Sequence, residues 1–188
     1  MLQTEALPAQ AGACAPIELS SYEAIYREHF AFVWRNVRRL GVHEGLADDA
    51  VQDVFLVVHR RLADFEGRSS IRTWLYGILV RVARDYRRSR ARQDSKAQAI
   101  AVEGTSVSPP TPAELMGRRE AARILDDLLG AVDDEKREIF VLVELEQMSV
   151  ADVAVALGVN VNTAHARLRA ARQQFEAAVA RFQARETR

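Results

Sequence analysis

The sequence holds a single cysteine, Cys14, and four histidines among its 188 residues. One cysteine excludes an internal disulfide and a cysteine-based zinc cluster. The histidines, His29, His43, His59 and His165, belong to no Glu-x-x-His or His-Glu-x-x-His pattern, which leaves di-iron and zinc-protease chemistry without ligands. Long apolar runs are missing as well. The longest, Val54–Val58, Leu75–Val80 and Ile139–Val143, fall far short of a bilayer span, so no membrane insertion is expected. Residues 1–13 have neither a basic region nor a continuous apolar stretch, and a cytoplasmic protein is expected. No Gly-x-Ser-x-Gly elbow, phosphate-binding loop or Gly-x-Gly-x-x-Gly fingerprint occurs. The chain reads as a non-enzyme with no cofactor.

Net charge is also lacking. Lys plus Arg (26) balances Asp plus Glu (26), which argues against coating nucleic acid by bulk electrostatics. A neutral chain that binds DNA must sort its charge into patches. Hydrophobic residues at 48% and charged ones at 28% suit a folded globular protein.

Only five prolines are present, and Pro109, Pro110 and Pro112 fall in a Ser/Thr/Gly/Ala-rich stretch with linker composition. Nearly everything else has helical period. Tyr26, Phe30, Val33, Val37 and Leu40 make one stripe, and Val51, Val54, Phe55, Val58 and Leu62 another. Ile71, Trp74, Leu75, Ile78, Leu79, Val82 and Tyr86 form a third, and Ile124, Leu125, Leu128, Leu129 and Val132 a fourth. A capping box, Ser20-x-x-Glu23, opens the first helix. The expected fold is all-α, with two small helical domains on a flexible tether. The expected boundaries are a disordered tail over 1–19, a first domain over 20–92, a linker over 93–113 and a second domain over 114–183.

Three surfaces exceed what a core needs. In the helix over 46–64, Asp49, Gln52, Asp53 and Leu56 lie opposite the apolar stripe, and from Gly41 to Val58 four acids meet no Lys or Arg. That face is either a solvated helix start favoured by the dipole or a dock for a basic partner helix. Between Arg81 and Arg92 sit six arginines, Arg81 and Arg84 among them, against the single Asp85. Upstream lie Arg68, Ser69, Ser70, Arg72, Thr73, Trp74 and Tyr76. Arginines beside a hydroxyl-rich loop and aromatic rings suit single-stranded nucleic acid, with cations holding phosphates and rings receiving unstacked bases. Trp74 lies at the edge of the apolar stripe and fits a core position as well as a base contact.

The third surface is a helix-turn-helix. Ser149 and Asp152 cap a short helix that buries Val153, Ala154 and Leu157, and Gly158 supplies the turn. In the next helix Ala164, Leu168, Ala171 and Phe175 face inward, while Asn162, His165, Ala166, Arg169, Arg172 and Gln173 point outward with Arg167 on the flank. Three arginines and no acid between Asn160 and Phe175 suit the major groove, and Ala166 allows close approach.

Taken together, the chain resembles bacterial RNA polymerase sigma factors of the extracytoplasmic-function group, over about 22–92 and 114–178. Ala47-Asp-Asp-Ala-Val-Gln-Asp-Val-Phe55 looks like the region that docks the clamp helices of the polymerase's largest subunit. Phe65 to Trp74, ending Ile71-Arg-Thr-Trp-Leu75, resembles the part that captures the melted minus-ten strand, and Arg81 to Arg92 closes that reader. Residues 149–172 look like the minus-thirty-five reader, placing Asn162, Thr163, His165, Ala166, Arg167, Arg169 and Arg172 on duplex DNA. The resemblance implies core RNA polymerase (clamp helices and the flap of the second-largest subunit), promoter DNA and an anti-sigma factor as partners. Many relatives carry Arg-Asn where this chain has Val80-Arg81, and Thr-Val-Lys-Ser-Arg where it has Thr163-Ala-His-Ala-Arg167, so the promoter read is its own. His165 in place of a lysine implies a pH-sensitive contact if it meets phosphate. Two other classes fit parts of the chain: a stand-alone helix-turn-helix regulator and a helical adaptor.

Overall fold

The structure, a computed structural model, describes residues 22–97 and 113–186; Cys14, the Ser20 cap and Pro109 to Pro112 lie outside the described residues. Among those described, every regular element is helical. They are α1 (Tyr22–Arg39), α2 (Ala47–Arg61), α3 (Ile71–Ala97), α4 (Ala113–Gly130), α5 (Asp134–Phe140), α6 (Val150–Leu157) and α7 (Val161–Glu186). Single turns of 3-10 helix flank α2, and a π-helical turn, Val141–Leu145, continues α5.

Local chemistry explains the boundaries. Helix α2 opens with Asp48 and Asp49 and closes with His59, Arg60 and Arg61, each sign at the dipole end that favours it. The α6 cap is as expected: the Ser149 hydroxyl accepts from the Asp152 amide at 3.1 Å, and Gly158 ends the helix in the left-handed region at φ 66°. Asn160 then starts α7 by accepting the Asn162 amide at 2.8 Å. Helix α3 runs to Ala97, five residues past the expected domain end at 92, because nothing between Arg92 and Ala97 breaks a helix.

Most of the apolar stripes meet as their periods require, but Tyr26 and Phe30 of the first stripe stay exposed at 39% and 37%. Val33 and Val37 of α1, and Leu40 just after it, pack with Val51, Val54, Phe55 and Val58 of α2 and with Leu75, Ile78 and Leu79 of α3. That cluster does not stop at the first three helices. Ile139, Leu142, Val153, Ala154, Ala164 and Leu168 belong to it too, so the two helical halves share one core. Leu129, Val132, Phe140, Val141 and Ala171 form a smaller second cluster. The halves meet chiefly where α3 packs on α6. Gly77 lets them close: a Cβ there would stand 3.1 Å from the Ala156 carbonyl oxygen. A glycine inside a helix costs about 1 kcal/mol against alanine, so its place here reflects that close approach.

Candidate nucleic-acid and polymerase interface

Helix α2 presents Asp49, Gln52, Asp53 and Leu56 to solvent, opposite its buried Val51, Val54, Phe55 and Val58. Leu56 is 44% exposed. Beside it runs a groove of about 270 Å³ between α2 and α3, lined by Leu56, Val57, Val82 and Tyr86 together with Asp53, Arg60 and Asp85. The Tyr86 hydroxyl donates to Asp53 at 2.7 Å. Burial first, and then that bond, pushes the Tyr86 phenol up to about 12, so it remains a donor throughout the physiological range. Tyr86 thus belongs to the acidic face, although its sequence position marks it only as a member of the α3 apolar stripe.

The loop before α3 and the start of that helix hold the residues expected to meet a single strand. Arg68 is exposed and pairs with Glu66. Ser70 caps α3: its hydroxyl accepts from the Thr73 amide at 3.1 Å and bonds the Thr73 hydroxyl at 2.8 Å, while the Ser69 hydroxyl turns to the Ser70 carbonyl. Thr73 is buried by this arrangement. Trp74 is half-buried with its ring 5.1 Å from Phe65, a compromise between core and surface. Tyr76 is fully buried against Phe32, and burial holds its phenol well above the usual range. In this arrangement neither Thr73 nor Tyr76 reaches a ligand. Arg81 is exposed.

Arg72 and Arg84 are engaged across the two halves. Arg84 bonds both oxygens of Glu138 on α5, at 2.8 and 2.5 Å, and Arg87 adds a third bond at 2.9 Å. Arg72 reaches Glu146 at 2.5 Å, joined there by Arg35, Asn36 and Arg39 of α1. Both carboxylates are essentially buried, at 0% and 2% side-chain exposure. The π-helical turn between them matters. In an unbroken α-helix, residues eight apart differ by roughly 80°. The wider turn, with the Glu146 amide bonding the Val141 carbonyl at 3.0 Å, reduces that rotation and brings both acids toward the first half.

These acids and their α1 partners were not among the residues singled out from the sequence. A local signal exists for two of them. Asn36 sits on the apolar face between Val33 and Val37, and Glu138 adjoins the apolar run from Ile139 to Val143. A polar group so placed needs a buried partner. Its identity is not local information.

The recognition face of α7 is open. Asn162, Thr163, His165, Ala166, Arg169 and Arg172 are exposed, while Ala164, Leu168 and Ala171 are buried as the spacing requires. Arg167 is half-buried and pairs with Glu135 at 2.5 Å; Arg172 pairs with Glu144 at 2.6 Å.

The family model for sigma-70 region 2 matches residues 25–93, and that for sigma-70 region 4 matches residues 122–175. The ECF RNA polymerase sigma-E factor of Haemophilus influenzae is 30% identical over 135 residues, spanning 68% of this chain and 71% of its own. This chain belongs to the extracytoplasmic-function sigma factors. The RNA polymerase sigma factor NccH of Alcaligenes xylosoxydans is 29% identical over 84% of this sigma factor and 86% of its own length. Two solved sigma factors share the fold. CnrH, in complex with the cytosolic domain of CnrY, has a TM-score of 0.63 at 24% identity, over 85% of this chain and 87% of its own. RpoE from Bartonella quintana, in complex with the anti-sigma factor NepR, has a TM-score of 0.63 at 21% identity, over 82% and 96%. In this sigma factor, no described helix is long and apolar enough to cross a membrane, and no described group of His, Cys, Asp or Glu is placed to hold a metal.

Proposed function

We propose that this sigma factor directs promoter-specific initiation through its two helical halves, with the acidic α2 face seated on the clamp helices of core RNA polymerase. Asp49, Gln52, Asp53 and Leu56 make that contact, with Tyr86 holding Asp53 in place. The outer face of α7 enters the major groove at the minus-thirty-five element, with Asn162, His165 and Arg169 toward base edges. The loop over 65–70, with Trp74 and Arg81, takes the melted minus-ten strand, and Arg72 and Arg84 join it once they are released from Glu146 and Glu138. Trapping unstacked bases shifts the melting equilibrium without bond chemistry, so no catalytic group is required.

The observation that carries this reading is the exposed outer face at the start of α7, free of acids as far as Phe175, on a correctly capped helix-turn-helix in a chain of this family. Neutrality is consistent with it. Two modest footprints on one tether gain affinity by effective concentration once polymerase fixes their spacing. An anti-sigma factor, as for RpoE of Bartonella quintana solved with NepR, is the expected antagonist.

Run-off transcription on a pool of genomic promoter fragments, with purified bacterial core polymerase, tests the proposal. Discrete transcripts that require the protein support it. Duplex binding by the protein alone with no transcript would replace it with a stand-alone regulator.

A further inference from the structure

Glu146 sits in a site built wholly by the other half of the molecule. Arg35 approaches with two nitrogens, Nε 3.1 Å from Oε1 and Nη2 3.2 Å from Oε2. The Asn36 amide donates to Oε1 at 3.0 Å, Arg39 Nη1 at 2.8 Å, and Arg72 Nη2 to Oε2 at 2.5 Å. Three positive charges thus meet one negative charge, leaving the site cationic even when filled.

Two of the four donors have an anchor besides Glu146. Asn36 is fully buried, and its amide is also fixed on the Phe32 carbonyl at 2.8 Å. The Arg72 guanidinium rests over the Phe32 ring, 4.8 Å from its centroid. Parting of the halves would take away the carboxylate that these donors share, with Asn36 and Arg72 still held on Phe32. Forked arginine donors around two acceptor oxygens suit a phosphodiester as well as a carboxylate. The site lies on the half whose loop and helix start are read above as the single-strand surface, where cations hold backbone phosphates.

We propose that Arg35, Asn36, Arg39 and Arg72 form a binding site for a backbone phosphate of single-stranded DNA, which Glu146 occupies as an internal stand-in while the two halves are packed together. The proposal rests on the reading of the first half as the minus-ten surface and extends it to α1. It makes closure and strand binding mutually exclusive at this site. The minus-thirty-five face of α7 remains open in both states.

The test uses the full chain and a short fluorescein-labelled single-stranded oligodeoxynucleotide, read by anisotropy over a range of salt. Two variants open the interface by different routes. Glu146→Gln removes the internal anion. Gly77→Leu drives α3 off the Ala156 carbonyl and touches no charged group. An interdomain distance from paired fluorescent labels reports opening in each.

Both variants are expected to bind the oligonucleotide at least about tenfold more tightly than the parent. The salt slope should steepen by about 0.7 for each phosphate newly neutralised. Adding Arg39→Ala to either variant should erase the gain. Opening without tighter binding, a gain that survives Arg39→Ala, or an interface that stays closed in both variants overturns the proposal. An equal gain on duplex DNA overturns the single-strand assignment. Run-off transcription by the parent protein separates the two failures: transcripts without any cradle effect remove the site and leave the minus-ten reading, whereas an absence of transcripts removes that reading.

Discussion

Arg84 and Glu138, 54 residues apart in sequence, form a two-armed ion pair with nitrogen–oxygen distances of 2.8 and 2.5 Å. The bond raises the Arg84 guanidinium's affinity for its proton despite partial burial. Glu138 is wholly buried, and Arg87 at 2.9 Å completes its coordination. Removing one member of a buried pair leaves an uncompensated charge. Glu138→Ala is therefore expected to cost roughly 3 kcal/mol of stability, read as a lower midpoint in chemical denaturation. Loss below about 0.5 kcal/mol, within the range of an ordinary surface substitution, would show that the contact contributes nothing beyond exposed pairs.

Gln147 is the only non-glycine residue with positive φ among those described, at 57°. It follows Glu146 directly and turns the chain between the π-helical turn and α6. A side chain in that region costs about 1–2 kcal/mol, which glycine avoids. Gln147→Gly should raise stability by about 1 kcal/mol, and Gln147→Val should lower it. A glycine variant that is less stable than the parent, or a valine variant that is more stable, in a denaturation series would remove this account.

His29 is nearly buried, its Nε2 has no hydrogen-bond partner, and Glu28 stands 3.8 Å away. Burial holds the imidazole below its usual range; Glu28 opposes that shift and Arg72 adds to it. A folded state that resists protonation takes up fewer protons than the unfolded chain. The stabilising contribution is therefore complete above the unfolded value near 6.5 and is lost as pH falls through it. Stability should decline between pH 7.5 and 5.5, with a shallower decline in His29→Leu. Parallel pH profiles for the two proteins would assign the decline to other groups.

Asp49 and Asp53 are exposed, so reversing either charge should leave the fold intact. Asp49→Arg and Asp53→Arg are expected to abolish binding to core polymerase in a pull-down with the purified enzyme. Normal holoenzyme assembly by both variants would sink the docking assignment.

Arg169 differs from its neighbours on the recognition helix. Arg167 and Arg172 are paired with Glu135 and Glu144, whereas Arg169 is exposed with no ion pair among the described residues. Arg169→Ala should cost about 1–3 kcal/mol, confined to one base-pair position of the minus-thirty-five element. A loss spread evenly over all sequences would instead indicate phosphate contact.

The helices, the α6 and α7 caps and the outward faces of α2 and α7 were legible in the sequence, because each depends on residues within about one turn. Ser149, Gly158 and Asn160 act on amides or carbonyls a few positions away. The exposure of Asp49, Asp53, Leu56, Arg169 and His165 follows from helical period once the apolar stripe is known. Tyr76 shows where that reasoning stops. Its aromatic ring beside Arg72 and Trp74 suited a nucleic-acid surface, yet it packs against Phe32 in the shared core and is completely buried.

What the sequence by itself determined, then, is a set of amphipathic helices, their caps, and a family whose chemistry lies on their outer faces. The tertiary structure alone decided that the two halves share a core, and that Glu138 and Glu146 face Arg84, Arg87, Arg35, Arg39 and Arg72. The physical reason is range. Helical period and capping act over a few residues, whereas a buried carboxylate takes its partners from whichever helices the shared apolar core brings beside it, here 51 to 111 positions away.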